Sequence, residues 1–217
     1  HVPCSDNLLK EFAGRRVTPD VSDNDCAMIL FTSGTTGRGK GVMLSNRNLI
    51  DNTFSSTVKD EDVEEVYLNI LPIHHVFCIN SDVLAAMRYG VLLCLNRDLS
   101  KLADHLKLFQ PTSFRAVPMV AKALYNRMMM IKTQHPEMTT QQLKEEVFGS
   151  RLRKIVCGGG YLTPELAKNY QDLGIRIGQG YGMSECSPVI SAPDWDRPDK
   201  VASVGKIVDR CQVRIVD

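Results

Sequence analysis

Ala27-Met28-Ile29-Leu30-Phe31-Thr32-Ser33-Gly34-Thr35-Thr36-Gly37-Arg38-Gly39-Lys40-Gly41-Val42-Met43-Leu44 joins two apolar runs through a loop rich in glycine and hydroxyls and carrying two cations. Glycines turn backbone N–H groups toward an anion at little steric cost. The Thr and Ser hydroxyls add rotatable donors, and Arg38 and Lys40 add charge. An ordinary Ser/Thr/Gly surface loop seldom places two cations at its glycine-rich end directly after a buried-type strand. The segment is therefore read as a holder of polyphosphate. Gly34 to Lys40 also fits the first seven positions of G-x-x-x-x-G-K-[ST]. That motif needs a Ser or Thr at its eighth position for Mg²⁺, and a helix N-terminus there for the phosphates. This chain has Gly41 and then strand-like Val42-Met43-Leu44, so the loop is read as a clamp between two strands.

Outward from this loop, strand and helix candidates alternate. Apolar strand candidates lie at 27–31, 41–44, 66–71, 91–95, 113–117, 154–157, 175–178, 203–208 and 212–216. Helix candidates lie at 46–58, 80–89, 99–109, 118–132, 140–147 and 164–173. The last is the best punctuated: Thr163 is an N-cap residue, Pro164 suits the first helical position, and Gly174 suits the end. Ser100 is expected to cap 99–109, with Pro111 stopping it, and Pro118 to open the Met-rich helix, whose Met128-Met129-Met130 reads as core or pocket wall. The polar stretch Lys132 to Glu146 reads as a surface excursion. The alternation predicts an α/β fold, a mostly parallel sheet flanked by helices, with ligands gathered beyond the carboxyl ends of the strands.

Three further segments follow strand candidates. Lys154-Ile155-Val156-Cys157-Gly158-Gly159-Gly160-Tyr161-Leu162 runs a buried-type strand into bare backbone against which a flat ligand can lie; taken alone it reads first as a tight turn. Gly178-Gln179-Gly180-Tyr181-Gly182-Met183-Ser184-Glu185 offers an aromatic between glycines for stacking, a hydroxyl, and a carboxylate of the kind Mg²⁺ takes alongside phosphates. A glycine turn with a solvated glutamate is the plainer alternative. In Leu71-Pro72-Ile73-His74-His75-Val76-Phe77, adjacent histidines on an extended chain point to opposite sides, so a shared metal is not expected.

These segments together resemble the AMP-forming acyl-adenylating enzymes, a family that includes acyl-CoA synthetases, peptide-synthetase adenylation domains and luciferases. Thr32 to Leu44 is similar to their phosphate-loop signature, with Gly39 where Pro is usual and Ser45-Asn46 where Thr-His is usual. Residues 157–162 resemble their S-G-G-A-P-L segment, with Cys157, Gly160 and Tyr161 substituted. Residues 181–185 resemble Y-G-x-T-E, with Ser184 for Thr. Residues 71–77 resemble L-P-L-x-H-x-F, and His75 takes the histidine's place.

The resemblance implies two half-reactions: a carboxylate and ATP give an acyl-adenylate and pyrophosphate, and a thiol, usually coenzyme A, then takes the acyl group. It implies catalytic roles for Lys40, Ser184 and Glu185. ATP or AMP would be bound by Thr32, Ser33, Gly34, Thr35, Thr36, Gly37, Lys40, Gly158, Gly159, Gly160, Gln179, Gly180, Tyr181, Gly182 and Ser184. His75, Gly158 and Gly180 would line the acid pocket, and Glu185 would hold Mg²⁺. Amino-acid-activating relatives carry a Phe-Asp pair where this chain has Val76-Phe77, and a buried α-ammonium without its counter-charge is costly. That favours a simple carboxylic acid, and Gln110-Pro111-Thr112, Ala116-Val117-Pro118 and residues 148–153 further resemble the long-chain fatty acyl branch. A carrier-protein thiol as acceptor, with an amino or aryl acid as substrate, stays open, as does a non-catalytic nucleotide-binding relative. The family's ribose-binding aspartate and the small C-terminal domain with its adenylation lysine are not found by Asp217. Residues 1–217 are thus expected to be a fragment of the large AMP-binding domain with little adenylation activity alone.

Composition narrows the classes further. The net charge is +1 with no basic stripe, which disfavours nucleic acid as a partner. Seven cysteines without a C-x-x-C pair, several in apolar runs such as 90–95, suit reduced cytoplasmic thiols rather than a disulfide framework or zinc site. No apolar run approaches the about 18 residues of a membrane-spanning helix, which leaves peripheral membrane contact open.

Overall fold

The computed structural model describes residue 14 and residues 20–32, 39–56, 64–96 and 98–216. The chain's opening hairpin is β1 (Cys26–Thr32) and β2 (Lys40–Ser45), paired antiparallel with Thr32 opposite Lys40. Alternation sends Met28, Leu30, Val42 and Leu44 inward, where they meet Leu49 and Val76. The helix α1 (Asn46–Ser56) follows at once. The loop between the two strands, and with it Ser33, Gly34, Thr35, Thr36 and Gly37, lies outside the described residues.

The main sheet has five parallel strands: β3 (Val66–Asn69), β4 (Leu92–Leu95), β5 (Ser113–Ala116), β6 (Lys154–Cys157) and β7 (Arg176–Gln179), in the order β4-β3-β5-β6-β7. Between β3 and β4 runs a helical segment with α2 (Val76–Cys78), a π-helical stretch (Ile79–Leu84) and α3 (Ala85–Tyr89). The remaining crossovers carry α4 (Leu102–Phe109), α5 (Pro118–Gln134), α6 (Thr140–Phe148) and α7 (Pro164–Asp172).

The period-2 alternation of the strands gives the two sheet faces opposite characters. Leu68, Phe114, Ala116, Ile155, Cys157 and Ile177 face α4–α7 and form the main core with Leu106, Leu124, Val147, Phe148 and Tyr170. Tyr67, Arg115 and Lys154 occupy the alternate positions and are buried too. A parallel sheet covered on both faces usually has apolar strands throughout; this one keeps a buried charged stripe on the second face.

A third sheet is antiparallel, β10-β9-β8, built from β8 (Tyr181–Gly182), β9 (Val189–Ala192) and β10 (Lys206–Ile207). The α/β reading is thus right for the main sheet, while the first two strands and the last three stand outside it. The strand expected at 212–216 does not form: the segment pairs with no described strand, and Ile215 is 93% exposed. Asp98, not Ser100, caps the turn before α4, its carboxylate accepting from Ser100 N at 2.9 Å. The expected excursion at 132–146 is a helix corner, closed by a Thr139–Gln142 capping box and anchored by buried Leu143. Of Met128-Met129-Met130, Met128 is core and the other two are exposed.

Candidate active site

The carboxyl ends of β3, β5, β6 and β7 open on a cavity of about 540 Å³. Its mouth brings together residues from three segments distant in sequence: His75, then Gly158 and Gly159, then Gly180, Tyr181, Gly182 and Ser184. This is the place where α/β sheets collect ligands, since loops diverge from adjacent strand ends. Gly160 lies beside Pro118 rather than on the wall. Glu185 sits next to Ser184 in a short 3₁₀ turn and is exposed. Thr32 and Lys40 close the described part of the hairpin, and β2 lies against the Ser184–Cys186 turn.

Each glycine at the mouth has its own reason. Gly159 adopts φ +69°, a left-handed conformation costly for other residues. Gly180 and Gly182 are needed because β9 crowds them: a Cβ would come 2.7 Å from Ser191 O or 2.2 Å from Pro188 O. They serve protein packing, and the half-exposed Tyr181 ring is free to meet a flat ligand for a different reason from the one the sequence suggested. Gln179, expected to touch nucleotide, is buried and turned away. Its Oε1 accepts from Leu162 N at 2.8 Å and its Nε2 donates to Ala202 O at 3.2 Å, so it pins the loop after β6.

His75 has an extended backbone at the end of the turn that opens on Pro72. It is the N-cap of α2, with Nδ1 accepting from Phe77 N at 3.2 Å. Nδ1 as acceptor puts the proton of a neutral imidazole on Nε2, leaving a donor for the cavity.

The loop carrying Ser184 and Glu185 is held by two asparagines that the sequence reading missed. Asn52 Nδ2 donates to Cys186 O (3.1 Å) and Val189 O (2.8 Å), while its Oδ1 accepts from Val189 N (3.2 Å). Asn80 Nδ2 donates to Ser187 O at 2.7 Å. The polar triplet Asn80-Ser81-Asp82 inside an otherwise apolar helix was the available signal.

Below the mouth, the cavity runs down the charged face of the sheet past Arg115 and Val156 to Lys154, with Ser81 and Trp195 among the opposing walls. Arg115 Nε lies 3.5 Å from Asp82 Oδ1, and its guanidinium stacks 3.9 Å from the Tyr67 ring centroid. Lys154 Nζ lies 3.8 Å from Glu65 Oε1, whose other oxygen accepts from Tyr67 OH. Burial pushes the Asp82 carboxyl up to about 6, against the lowering effects of Arg115 and of the Asn69 amide. Burial likewise pushes Cys78 to about 11 and Cys157 to about 12, so neither thiol is a nucleophile. The six described cysteines are all free, and the described residues contain no cluster of three or more metal-binding side chains. No described helix is long and apolar enough to cross a membrane.

The long-chain-fatty-acid–CoA ligase of Haemophilus influenzae is 29% identical over 210 residues, covering 92% of this chain and 35% of that protein. The 4-coumarate–CoA ligase-like 9 of Arabidopsis thaliana is 32% identical over 205 residues, covering 91% and 34%. The chain therefore spans roughly a third of the length of the curated relatives it matches. Among solved structures, O-succinylbenzoate coenzyme A synthetase of Bacillus subtilis, in complex with ATP and magnesium ion, superposes with a TM-score of 0.73 at 22% identity, covering 97% of this chain and 42% of that one. A family model described as AMP-binding enzyme matches residues 3–217. The chain belongs to the AMP-binding enzyme family.

Proposed function

We propose that this chain forms the nucleotide- and acid-binding core of an AMP-forming acid–coenzyme A ligase. The observation that carries the reading is the single cavity in which His75, the glycines after β6, Tyr181 and Ser184 converge. Adenosine lies against Gly158, Gly159 and Tyr181, and Ser184 donates to the α-phosphate. Lys40, at the end of the hairpin loop, faces the departing phosphates. In-line displacement at phosphorus asks for positioning and charge neutralisation, which these groups supply. Mg²⁺ takes only one or two protein carboxylates and fills its shell with phosphate and water. The exposed Glu185 carboxylate beside Ser184 suits that, and the ion would neutralise charge on the phosphate oxygens.

The acid enters past His75 and lays its chain on Leu71, Phe77, Val117 and Met183, an apolar stretch that supports a fatty or aryl acid over an amino acid. Calorimetric titration of the chain with ATP·Mg²⁺ and with a non-hydrolysable acyl-adenylate tests the reading. Both bind, and Tyr181→Ala weakens the adenylate about tenfold, consistent with a lost aromatic contact. Failure of both ligands to bind would sink the proposal.

A further inference from the structure

The far wall of the cavity is not that of a purely apolar acyl pocket. Arg115 is 5% exposed and Ser81 6%, and both line the cavity. Ser81 is a buried residue whose hydroxyl opens on the cavity: no hydrogen bond to a described residue uses it, and its oxygen is not among the enclosed polar atoms that lack a partner. Such a group needs a partner, or burial costs it its hydration. Arg115 is held loosely: Asp82 Oδ1 is at 3.5 Å and Ser113 Oγ at 3.4 Å, beyond the normal range for a charge-assisted hydrogen bond. Asp82 Oδ1 itself has no hydrogen bond of ordinary length. Two buried donors of different chemistry therefore face the same space, one residue of the π-helical stretch from each other's partner.

The position of the wall is set by strand register. Arg115 pairs with Val156, two residues back along the sheet from Gly158. At ~3.3 Å per residue that is ~7 Å below the mouth, with Lys154 ~13 Å below it. The charges on this face are already matched: Arg115 and Lys154 against Asp82 and Glu65. A carboxylate on the ligand would add an unmatched buried negative charge, which is expensive. An uncharged oxygen would accept from Ser81 and Arg115 without disturbing that balance. A bare methylene chain would strip the Ser81 hydroxyl of water and offer it no partner, and would leave Arg115 with only its long contacts to Asp82 and Ser113.

We propose that the deep half of the cavity is a subsite for an uncharged oxygen on the acid's tail, so that the substrate is a keto- or hydroxy-acid rather than a plain fatty acid or a dicarboxylic acid. The inference rests on the cavity being the acid pocket. It is tested by calorimetric titration of the full chain with octanoic acid, with the same acid bearing a mid-chain keto or hydroxyl group, and with octanedioic acid. The oxygenated acids bind about tenfold more tightly than octanoic acid, the worth of about one net hydrogen bond. Ser81→Ala erases most of that difference, and a paired Asp82→Asn/Arg115→Gln variant, which removes one charge of each sign, does the same. Thermal melting of each variant establishes that it is folded. Equal or tighter binding of octanoic acid, tightest binding of the dicarboxylic acid, or a difference that survives in Ser81→Ala overturns the proposal. If the acyl-adenylate binds without discrimination between tails, only this inference falls. If neither adenylate nor any acid binds, the reading of the cavity falls with it.

Discussion

Asn52 of α1 and Asn80 of the π-helical stretch face each other, Asn80 Nδ2 donating to Asn52 Oδ1 at 2.8 Å. Together they make four hydrogen bonds to the backbone between Cys186 and Val189. Because α1 grows directly out of β2, this amide pair ties the hairpin that leads to the phosphate loop to the turn that carries Ser184 and Glu185. Asn52→Ala removes all of Asn52's bonds and leaves the half-buried Val189 backbone groups without their partner, so it lowers stability by about 1–2 kcal/mol. It also weakens ATP·Mg²⁺ binding. Asn52→Asp keeps the acceptor oxygen and loses the donors, and falls between the two. Chemical denaturation and calorimetric titration of the same samples read both effects; ATP·Mg²⁺ affinity that is untouched in folded Asn52→Ala would refute the positioning role.

Lys40 separates binding from stability. It is exposed, and its side chain makes no hydrogen bond or ion pair to a described residue, its backbone alone pairing with Thr32. Lys40→Met changes stability by no more than about 0.5 kcal/mol, as exposed substitutions usually do. ATP affinity falls about tenfold or more if its charge meets the phosphates. Melting temperature and nucleotide titration measured in parallel distinguish the two.

Gly182 and Gly160 form a matched pair of substitutions. A Cβ at Gly182 would sit 2.2 Å from the Pro188 carbonyl oxygen, a backbone atom that cannot swing aside. At Gly160 it would meet the Pro118 ring at 3.4 Å, ordinary contact. Gly182→Ala is expected to cost about 1–3 kcal/mol and to displace Tyr181, with Gly160→Ala much milder. Equilibrium unfolding of the two variants decides it, and equal destabilisation would contradict the packing account.

Asp82 gives stability a pH dependence of known sign. Burial penalises its charged form and pushes the carboxyl up from the ordinary 3.8 to about 6. A raised acid pKa means that the folded state binds the proton more tightly. The corresponding stabilisation is fully present below about pH 4 and is lost as pH rises through 6. It amounts to roughly 3 kcal/mol. In Asp82→Asn this window disappears, although the variant is less stable at neutral pH because Arg115 loses its counter-charge. Denaturation midpoints of the two proteins between pH 3 and 7 yield the difference curve, and parallel curves would rule Asp82 out.

The parallel sheet, the strand ends that open on the cavity and the two strands β1 and β2 were legible in the sequence because local signals carry them: apolar runs that end in glycine, and helices punctuated by Thr163, Pro164 and Pro118. The antiparallel β8–β10 sheet was not. Its strand Tyr181–Gly182 is two residues long, too short for periodicity to register, and it forms because Tyr181 pairs with Ser191; Lys206–Ile207, inside the candidate at 203–208, is equally short and sets Ile207 on the other side of the same Ser191. Gln179 misled for a similar reason. It sits in a glycine-rich signature, but strand alternation sends its side chain to Leu162 and Ala202 instead of the cavity. Arg115 and Lys154 place charge inside otherwise apolar strands. Only the pairing of β3, β5 and β6 places them beside Asp82 and Glu65 on one buried face.

The π-helical stretch Ile79–Leu84 gives the family scaffold a length-sensitive gauge. Its wide turn carries one more residue than an α-turn would, and Asn80, Ser81 and Asp82 are all buried within it. Removing a single residue there would let the segment relax to an ordinary helix and rotate every later side chain around the axis. Asn80 would leave the loop, Asp82 would leave Arg115, and Ser81 would leave the cavity together. The proposed acid subsite and the seating of the signature loop thus depend on one count of residues, and a one-residue deletion at this stretch would disturb both at once, where a single substitution in the wall would touch only one.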